Sequence, residues 1–371
     1  MMKSLFSAYN LSGLTLKNRL VMAPMTRSRA QDTVPSEITA LYYKQRAGAG
    51  LIISEGSQIS TQAVGYLFTP GIHSKEQVQG WKKVTEAVHE EGGKIFCQLW
   101  HVGRISHTSL HQDGASPVSS SNIRAKKTTS FTYDDEGKPA HLAASRPRAL
   151  TTDEVKATAE DFARAALNAI EAGFDGVEIH GANGYLIEQF INGGINDRSD
   201  EYTGKTVEGR IRFALEVVDA VVAAIGNERV GIRLSPFNRI FDMPDFEGEE
   251  DTWLTLAREL SKKNLAYVHI SNRKAIISGE AGLSFLKRFR DAYDGTLILA
   301  GEYTQAEADH DLQEGLSDLV AFGRPFISNP DLAERMKNNW PITPPNPATF
   351  YGGGEYGYTD YPAYELGVSA E

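Results

Sequence analysis

Apolar residues in this 371-residue chain gather in short runs over 20–24, 51–57, 95–100, 176–180, 230–235, 267–271, 297–300 and 319–322. Most of the runs are continuous and do not alternate with polar residues, the pattern of parallel strands buried on both faces. Amphipathic stretches separate them, over 36–46, 76–91, 152–172, 207–225, 250–263, 281–292, 305–314 and 330–338. Within 152–172, Val155, Ala159, Phe162, Ala166 and Ile170 recur at helical spacing and predict a core-facing stripe. Thr151-Thr152-Asp153-Glu154 and Thr304-Gln305-Ala306-Glu307 fit the capping box, and Pro330 suits a first helical position. Alternating strand and helix eight times over predicts an α/β fold, a closed (β/α)8 TIM barrel. A doubly wound open sheet is the rival, but no G-x-G-x-x-G turn stands correctly placed after a strand.

Two segments do not fit the repeat. Residues 101–150 are too many for an ordinary strand-to-helix loop. Inside them, 130–133 and 140–142 flank Asp134-Asp135-Glu136-Gly137-Lys138, a hairpin signal, so 101–150 is expected to form a capping subdomain after the third strand. Residues 5–16 predict an N-terminal hairpin that closes the barrel bottom, and 344–362, rich in Gly, Pro and Tyr, show no helical pattern. The whole chain, 1–371, thus reads as one barrel domain with an insertion.

Composition removes several function classes. Lys and Arg number 38 against 48 Asp and Glu, a net charge of −10, so no general footprint for nucleic acid exists. Cys97 is the only cysteine, which excludes a disulfide framework, a cysteine zinc site and a cysteine-held iron–sulfur cluster. Its apolar strand setting predicts an inert core thiol. The N-terminus lacks an export-signal pattern and no apolar run approaches membrane-spanning length. The expectation is a cytoplasmic protein without membrane contact, a monomer or weak dimer.

Chemistry gathers at the predicted strand ends, the functional rim of a barrel. The fourth run ends at His180, and Asn183 and Tyr185 follow within five residues. His180 and Asn183 are able to donate to one developing oxyanion and Tyr185 to deliver a proton, with no serine or cysteine nucleophile beside them. Taken alone, this spacing fits strand-end hydrogen bonding equally well. Pro24-Met25-Thr26 ends the first run, Gln98 and Trp100-His101 the third, and Arg233 lies near the end of the fifth. Gly301 follows the seventh and Gly323-Arg324 the eighth, where glycines permit close approach and an arginine pairs with phosphate. Gln98 and Arg233 suit a planar heterocycle, the one offering a donor and an acceptor, the other stabilising negative charge. A non-redox phosphate-binding barrel, a lyase or isomerase, remains open, although no strand end carries a Schiff-base lysine. A metal hydrolase built on His101, His107 and His111 lacks both H-E-x-x-H and a carboxylate partner, and no metal site is expected. A binding protein for such a heterocycle, without turnover, is a further reading.

Met22-Ala23-Pro24-Met25-Thr26-Arg27, Gln98-Leu99-Trp100-His101-Val102-Gly103-Arg104 and His180-Gly181-Ala182-Asn183-Gly184-Tyr185-Leu186 occur in that order. Ala321-Phe322-Gly323-Arg324-Pro325 and Tyr351-Gly352-Gly353 follow. With these motifs the chain resembles the Old Yellow Enzyme family of FMN-dependent ene-reductases over nearly its whole length. The resemblance implies tightly bound, non-covalent FMN touched by Pro24, Met25, Thr26 and Gly56, with Gln98 at the pyrimidine edge and Arg233 near N1 and O2. It places Gly301, Gly323 and Arg324 at the phosphate, and Tyr66, Trp100 and Tyr351 around the substrate. It implies reduction by NADPH or NADH, then hydride transfer to small electron-poor alkenes, with His180, Asn183 and Tyr185 as the catalytic set. Two departures stand out. Arg198-Ser199-Asp200-Glu201-Tyr202-Thr203-Gly204-Lys205 replaces the family's Arg-Thr-Asp-x-Tyr-Gly-Gly-Ser, which puts the local turn in question. Glu302 stands where a small residue is usual, and is expected to point to solvent.

Overall fold

The computed structural model describes residues 4–365. Eight parallel strands form its centre: β1 Leu20–Met22, β2 Leu51–Ile53, β3 Ile95–Trp100, β4 Gly176–Gly181, β5 Val230–Leu234, β6 Tyr267–Ile270, β7 Leu297–Ala300 and β8 Leu319–Phe322. Each pairs with its neighbours in chain order, and β8 returns to β1 with Val320 opposite Leu20, so the sheet closes on itself. The outer helices are α1 Glu37–Lys44, α2 Lys75–Glu90, α3 Thr152–Glu171, α4 Val207–Ile225, α5 Glu249–Ser261, α6 Gly282–Ala292, α7 Gln305–Gln313 and α8 Leu332–Asn338. This is the predicted (β/α)8 barrel.

The continuous apolar runs are explained by what covers each face. Outward positions such as Ile52, Cys97, Leu99, Val177 and Ile179 pack against the helical layer. Inward positions such as Val21, Leu51, Ile53, Phe96, Tyr267, Ile298 and Leu319 form a second cluster inside the barrel. The N-terminal hairpin, Tyr9–Leu11 with Leu14–Leu16, buries Leu11 and Leu16 in that inner cluster and thereby closes its end. Both predicted capping boxes form: Thr151 and Thr304 accept from the amides of Glu154 and Glu307, whose carboxylates reach back.

Local corrections follow. The run 51–57 breaks after Ile53, and Ser57–Gln58 pair separately with β3. Helix α8 begins at Leu332, so Pro330 lies outside it, and the helix-starting proline is Pro325 in the short helix Arg324–Ser328. In α3 the buried stripe ends on Ala169, with Ile170 half-exposed, because the helix turns faster than the assumed spacing. Short helices Leu186–Ile191, Arg273–Ser278 and Arg324–Ser328 follow β4, β6 and β8 and are too brief to show periodicity.

The 101–150 insertion does contain the expected hairpin, Thr129–Tyr133 with Pro139–Ala143, turned by Asp134, whose side chain accepts from the amides of Glu136 and Lys138. It lies on the loop after β2, where the Leu67 amide donates to the Phe131 carbonyl over 2.9 Å.

The segment 344–362 has little regular structure of its own and borrows order from two arginines. Arg27 donates to the carbonyls of Phe350 and Gly357 at 2.9 and 2.8 Å. Arg29 donates to those of Thr349, Gly354 and Tyr356 at 3.0, 3.0 and 3.2 Å. Each bond from a charged donor contributes about 1.5–3 kcal/mol. Replacing Arg29→Met removes three of these anchors, and limited proteolysis between 349 and 357 is expected to quicken by roughly tenfold or more while the barrel's far-ultraviolet dichroism is unchanged; an unaltered cleavage rate would show the strap is held otherwise.

Candidate active site

Parallel strands bring all eight C-terminal ends to one rim, and two adjoining cavities open there. The larger, about 850 Å³, is lined by Pro24, Met25 and Thr26 after β1, Asn183, Arg233, Gly301, Gly323 and Arg324. The smaller, about 370 Å³, is lined by Tyr66, Tyr185, Phe241 and, from the insertion hairpin, Thr129, Phe131 and His141. Thr26 and Tyr351 line both, so the strap and the first strand end form the boundary between them. Tyr351 is 66 % exposed.

His180 is the penultimate residue of β4 and lies opposite Arg233 of β5. It is buried, and its Nδ1 finds no partner among the described residues. Burial, then the neighbouring Arg233 and His269, push its pKa well below the ordinary histidine range, so it stays a neutral imidazole. Asn183 sits at φ +58°, a left-handed conformation that asparagine tolerates better than most residues. Its amide N–H donates to Ser235 Oγ over 2.6 Å, and Ser271 Oγ donates to its Oδ1 over 3.0 Å. A hydroxyl donor on Oδ1 fixes the amide's orientation and leaves the Nδ2 end for a ligand. Behind it, Glu188 accepts from Ser235 Oγ and from the Gly184 amide at 2.6 and 2.8 Å. Burial raises that carboxyl to about 7 against these bonds, which favour its charged form.

Tyr185 packs edge-on to Trp100, with ring centroids 5.0 Å apart, and its hydroxyl lies 3.3 Å from that of Tyr66. Burial, followed by its tyrosine neighbours, pushes its pKa well above 10, so the phenol keeps its proton. Tyr66 stacks on Trp100 and His180 packs against both Trp100 and Tyr185. Gly56 is not among the cavity-lining residues. It lies under the Trp100 indole, where an added Cβ would come within 2.5 Å of the ring.

Deeper in the barrel, Gln98 is buried and donates through Nε2 to Glu178 over 2.8 Å. Arg233 is buried and its Nε has no partner among the described residues. Also lining the larger cavity, Gly301 adopts φ +136°, and a Cβ there would strike the amide nitrogens of Arg273 and Lys274 at 2.8 and 2.9 Å. Arg324 is exposed and pairs with Glu302 at 3.2 Å, which Lys274 also holds at 2.5 Å. Glu302 is exposed as expected, yet it engages the arginine assigned to phosphate.

The larger cavity is thus lined by two glycines and an exposed arginine, and also by the buried Arg233 guanidinium with its unpartnered Nε and by the Thr26 hydroxyl. That donor set fits a molecule with a phosphate at one end and a planar hydrogen-bonding ring at the other, as FMN has. The remaining sequence candidates fall elsewhere. His101 Nδ1 accepts from the Gly103 amide, and burial lowers its pKa to about 3, while His107 and His111 bond to serine hydroxyls. Among the described residues no group of three or more His, Cys, Asp or Glu side chains converges. Cys97 is buried with its thiol pushed up to about 12. No helix of the described residues is long and apolar enough to cross a membrane. The altered turn after the catalytic loop is intact: Arg198 pairs with Asp200, and Thr206 caps α4. Ser235, Ser271, Glu188, His269 and Phe241 were not anticipated. Glu178 and His269 did leave a signal, as ionisable residues within otherwise apolar runs.

The sequence profile of the NADH:flavin oxidoreductase / NADH oxidase family matches residues 4–342. The chain is 44 % identical over 366 residues to 12-oxophytodienoate reductase 1 of Oryza sativa subsp. japonica, covering 97 % of this chain and 93 % of that one. The fold superposes on morphinone reductase with a TM-score of 0.95 and 46 % identity, over 100 % of this chain and 99 % of that one. On the Old Yellow Enzyme homologue of Zymomonas mobilis the TM-score is 0.90, with 40 % identity over 97 % and 100 % of the two chains. With the profile spanning the barrel and these relatives spanning nearly the whole chain, the protein belongs to the NADH:flavin oxidoreductase / NADH oxidase family, the family of Old Yellow Enzyme.

Proposed function

We propose that this flavin oxidoreductase is an ene-reductase for α,β-unsaturated carbonyl compounds and nitroalkenes, working in two half-reactions at one site with NADPH or NADH as reductant. The observation that carries the reading is that Asn183 lines the cavity shared by Arg233 and Thr26, while Tyr185, whose ring lies 5.2 Å from that of His180, lines the adjoining one. Pro24, Met25, Thr26, Gln98 and Arg233 would hold the ring of FMN and Gly301, Gly323 and Arg324 its phosphate. The chemistry FMN supplies in such a cavity is two-electron exchange, in which hydride is accepted from reduced nicotinamide and passed to the β carbon of an alkene. A solved morphinone reductase carries tetrahydroNAD, which supports a nicotinamide dinucleotide as the donor.

The protein's own part is orientation, polarisation and proton supply. A neutral His180 and the Nδ2 end of Asn183 donate to the substrate oxygen and draw electron density from the alkene; loss of one such donor elsewhere costs about 2.7–4 kcal/mol. Nitro compounds and nitrate esters meet the same requirement, an oxygen able to receive two hydrogen bonds. Tyr185 keeps its proton until a strongly basic α carbon develops, and its hydroxyl lies 3.3 Å from that of Tyr66. The aromatic wall of Tyr66, Phe131, Phe241 and Tyr351 suits an apolar ring system in the smaller cavity.

Three measurements test this. An anaerobic absorbance spectrum of the purified protein is expected to show flavin that bleaches with NADPH or NADH and returns on adding cyclohexenone. A protein that neither carries nor takes up FMN would restore the non-redox barrel reading. Tyr185→Phe is expected to leave reduction by nicotinamide intact and to slow enone reduction by roughly a hundredfold or more. Because burial holds His180 neutral throughout and above the ordinary histidine range and Tyr185 protonated up to the ordinary phenol range, that deficit is expected to stay constant between those two ranges; normal enone turnover would remove the proton-donor role. Ser271→Ala frees the Asn183 amide to rotate, and binding of an unreactive saturated ketone, read from the flavin absorbance, is expected to weaken by about three- to tenfold.

A further inference from the structure

The barrel interior is apolar only at its lower end. Side chains two apart on a strand share a face, so successive inward positions read Phe96, Gln98 and Trp100 on β3, and Glu178 and His180 on β4. Gly231 and Arg233 follow on β5, and Tyr267, His269 and Ser271 on β6 and just beyond it. Above the layer of Phe96 and Tyr267, whose rings pack 5.7 Å apart, the filling becomes ionic. Glu178 and His269 are both fully buried, and His269 Nδ1 lies 2.8 Å from Glu178 Oε2. Gln98 Nε2 donates to the other carboxylate oxygen at 2.8 Å.

Nothing in barrel stability calls for this arrangement. Well-packed apolar side chains of similar volume are commonly as stabilising as a buried ionic group, or more so. The carboxylate is nevertheless kept charged. Complete burial opposes the charge, but His269, then Arg233 and the Gln98 donor, outweigh it and hold the carboxyl below the ordinary carboxylate range. His269 is correspondingly neutral, with burial as the main cause, and donates its Nδ1 hydrogen. Arg233, in contrast, has no ion-pair partner among the described residues, and Glu178 is the carboxylate whose field bears on it. The pair therefore sets the net charge beneath the larger cavity.

We propose that Glu178 is a positioning and charge-setting residue for the cofactor: its buried carboxylate offsets Arg233 and so lowers the reduction potential of a flavin held by that arginine. The inference rests on the FMN reading above. Two-electron reduction leaves negative charge on the pyrimidine side of the ring, which Arg233 favours and Glu178 disfavours. Without Glu178 the reduced cofactor would be overstabilised and a poorer hydride donor to an alkene. The same carboxylate, able only to accept, turns the Nε2 end of Gln98 toward itself and leaves the carbonyl and one N–H for the ring.

The test is equilibrium redox titration of the FMN-loaded protein against a dye of known potential, without substrate. Glu178→Gln keeps the shape and removes the charge; its midpoint is expected to rise, with the reduced-to-oxidised ratio at a fixed dye poise increasing about tenfold. Glu178→Asp keeps the charge and is expected to stay within about threefold of the parent ratio. His269→Leu, which removes a donor that keeps the carboxylate ionised, is expected to shift in the same direction as Glu178→Gln and decides the matter if that variant fails to fold. An unmoved potential in the charge-removing variants, or an equal shift in the aspartate variant, overturns the proposal. A parent protein that binds no FMN would overturn the flavin reading instead, so the two failures are distinguishable.

Discussion

Closure of an all-parallel sheet constrains everything else in this protein. When eight strands run in one direction, each ends on the same rim, and residues far apart in sequence are delivered to one place without any contact being specially arranged. His180 and Arg233 face each other because β4 and β5 pair in parallel, with those residues in register. Gly301 and Gly323 share the larger cavity because β7 and β8 are neighbours. The register leaves no freedom to slide: a one-residue slip of β4 would turn His180 and Glu178 outward and point Ile179 into the barrel.

The interior shows a gradient from stability toward chemistry. Near the hairpin-closed end, Leu11, Leu16, Leu51 and Leu319 fill the barrel as apolar packing. Toward the rim the same inward positions carry Gln98, Glu178, His269, Arg233 and His180, several with unsatisfied nitrogens. Each buried donor without a partner costs about 1–3 kcal/mol, so the upper layers are less stable than an apolar filling would be. A ligand that supplies acceptors to Arg233 and His180 recovers that energy on binding. Affinity for a ligand and the cost of these polar layers are then two sides of one arrangement.

The fold was readable because the strands are short, continuous and apolar, and because Thr151 and Thr304 mark helix starts with chemistry that has few other uses. The strand-end residues were readable for the same reason, since polar side chains closing apolar runs, such as Gln98 and Arg233, are conspicuous. What sequence spacing did not reveal is the support behind them. Ser235 and Ser271 follow different strands and meet Asn183 only after the barrel closes. Glu188 acts through a helix of six residues, too short to leave a periodic trace. Gly56 was grouped with the cofactor, yet the nearest consequence of its missing Cβ is space for Trp100, which no local pattern encodes.

Glu302 shows how a residue that looks incompatible with phosphate is accommodated. Its carboxylate faces two cations, Lys274 and Arg324, and all three side chains are largely exposed. Exposed pairs of this kind contribute about 0–1 kcal/mol each, so Arg324 is free to exchange Glu302 for a ligand phosphate at little expense. Lys274 would retain Glu302 after the exchange, and no charge would be left unpaired. The local sum of one carboxylate and two cations remains positive, and the amide nitrogens packed against Gly301 add to it. The acidic residue would therefore lower the pull on a phosphate without reversing it, and in a chain of net charge −10 that local excess of cations would make an anionic ligand tolerable beside Arg324.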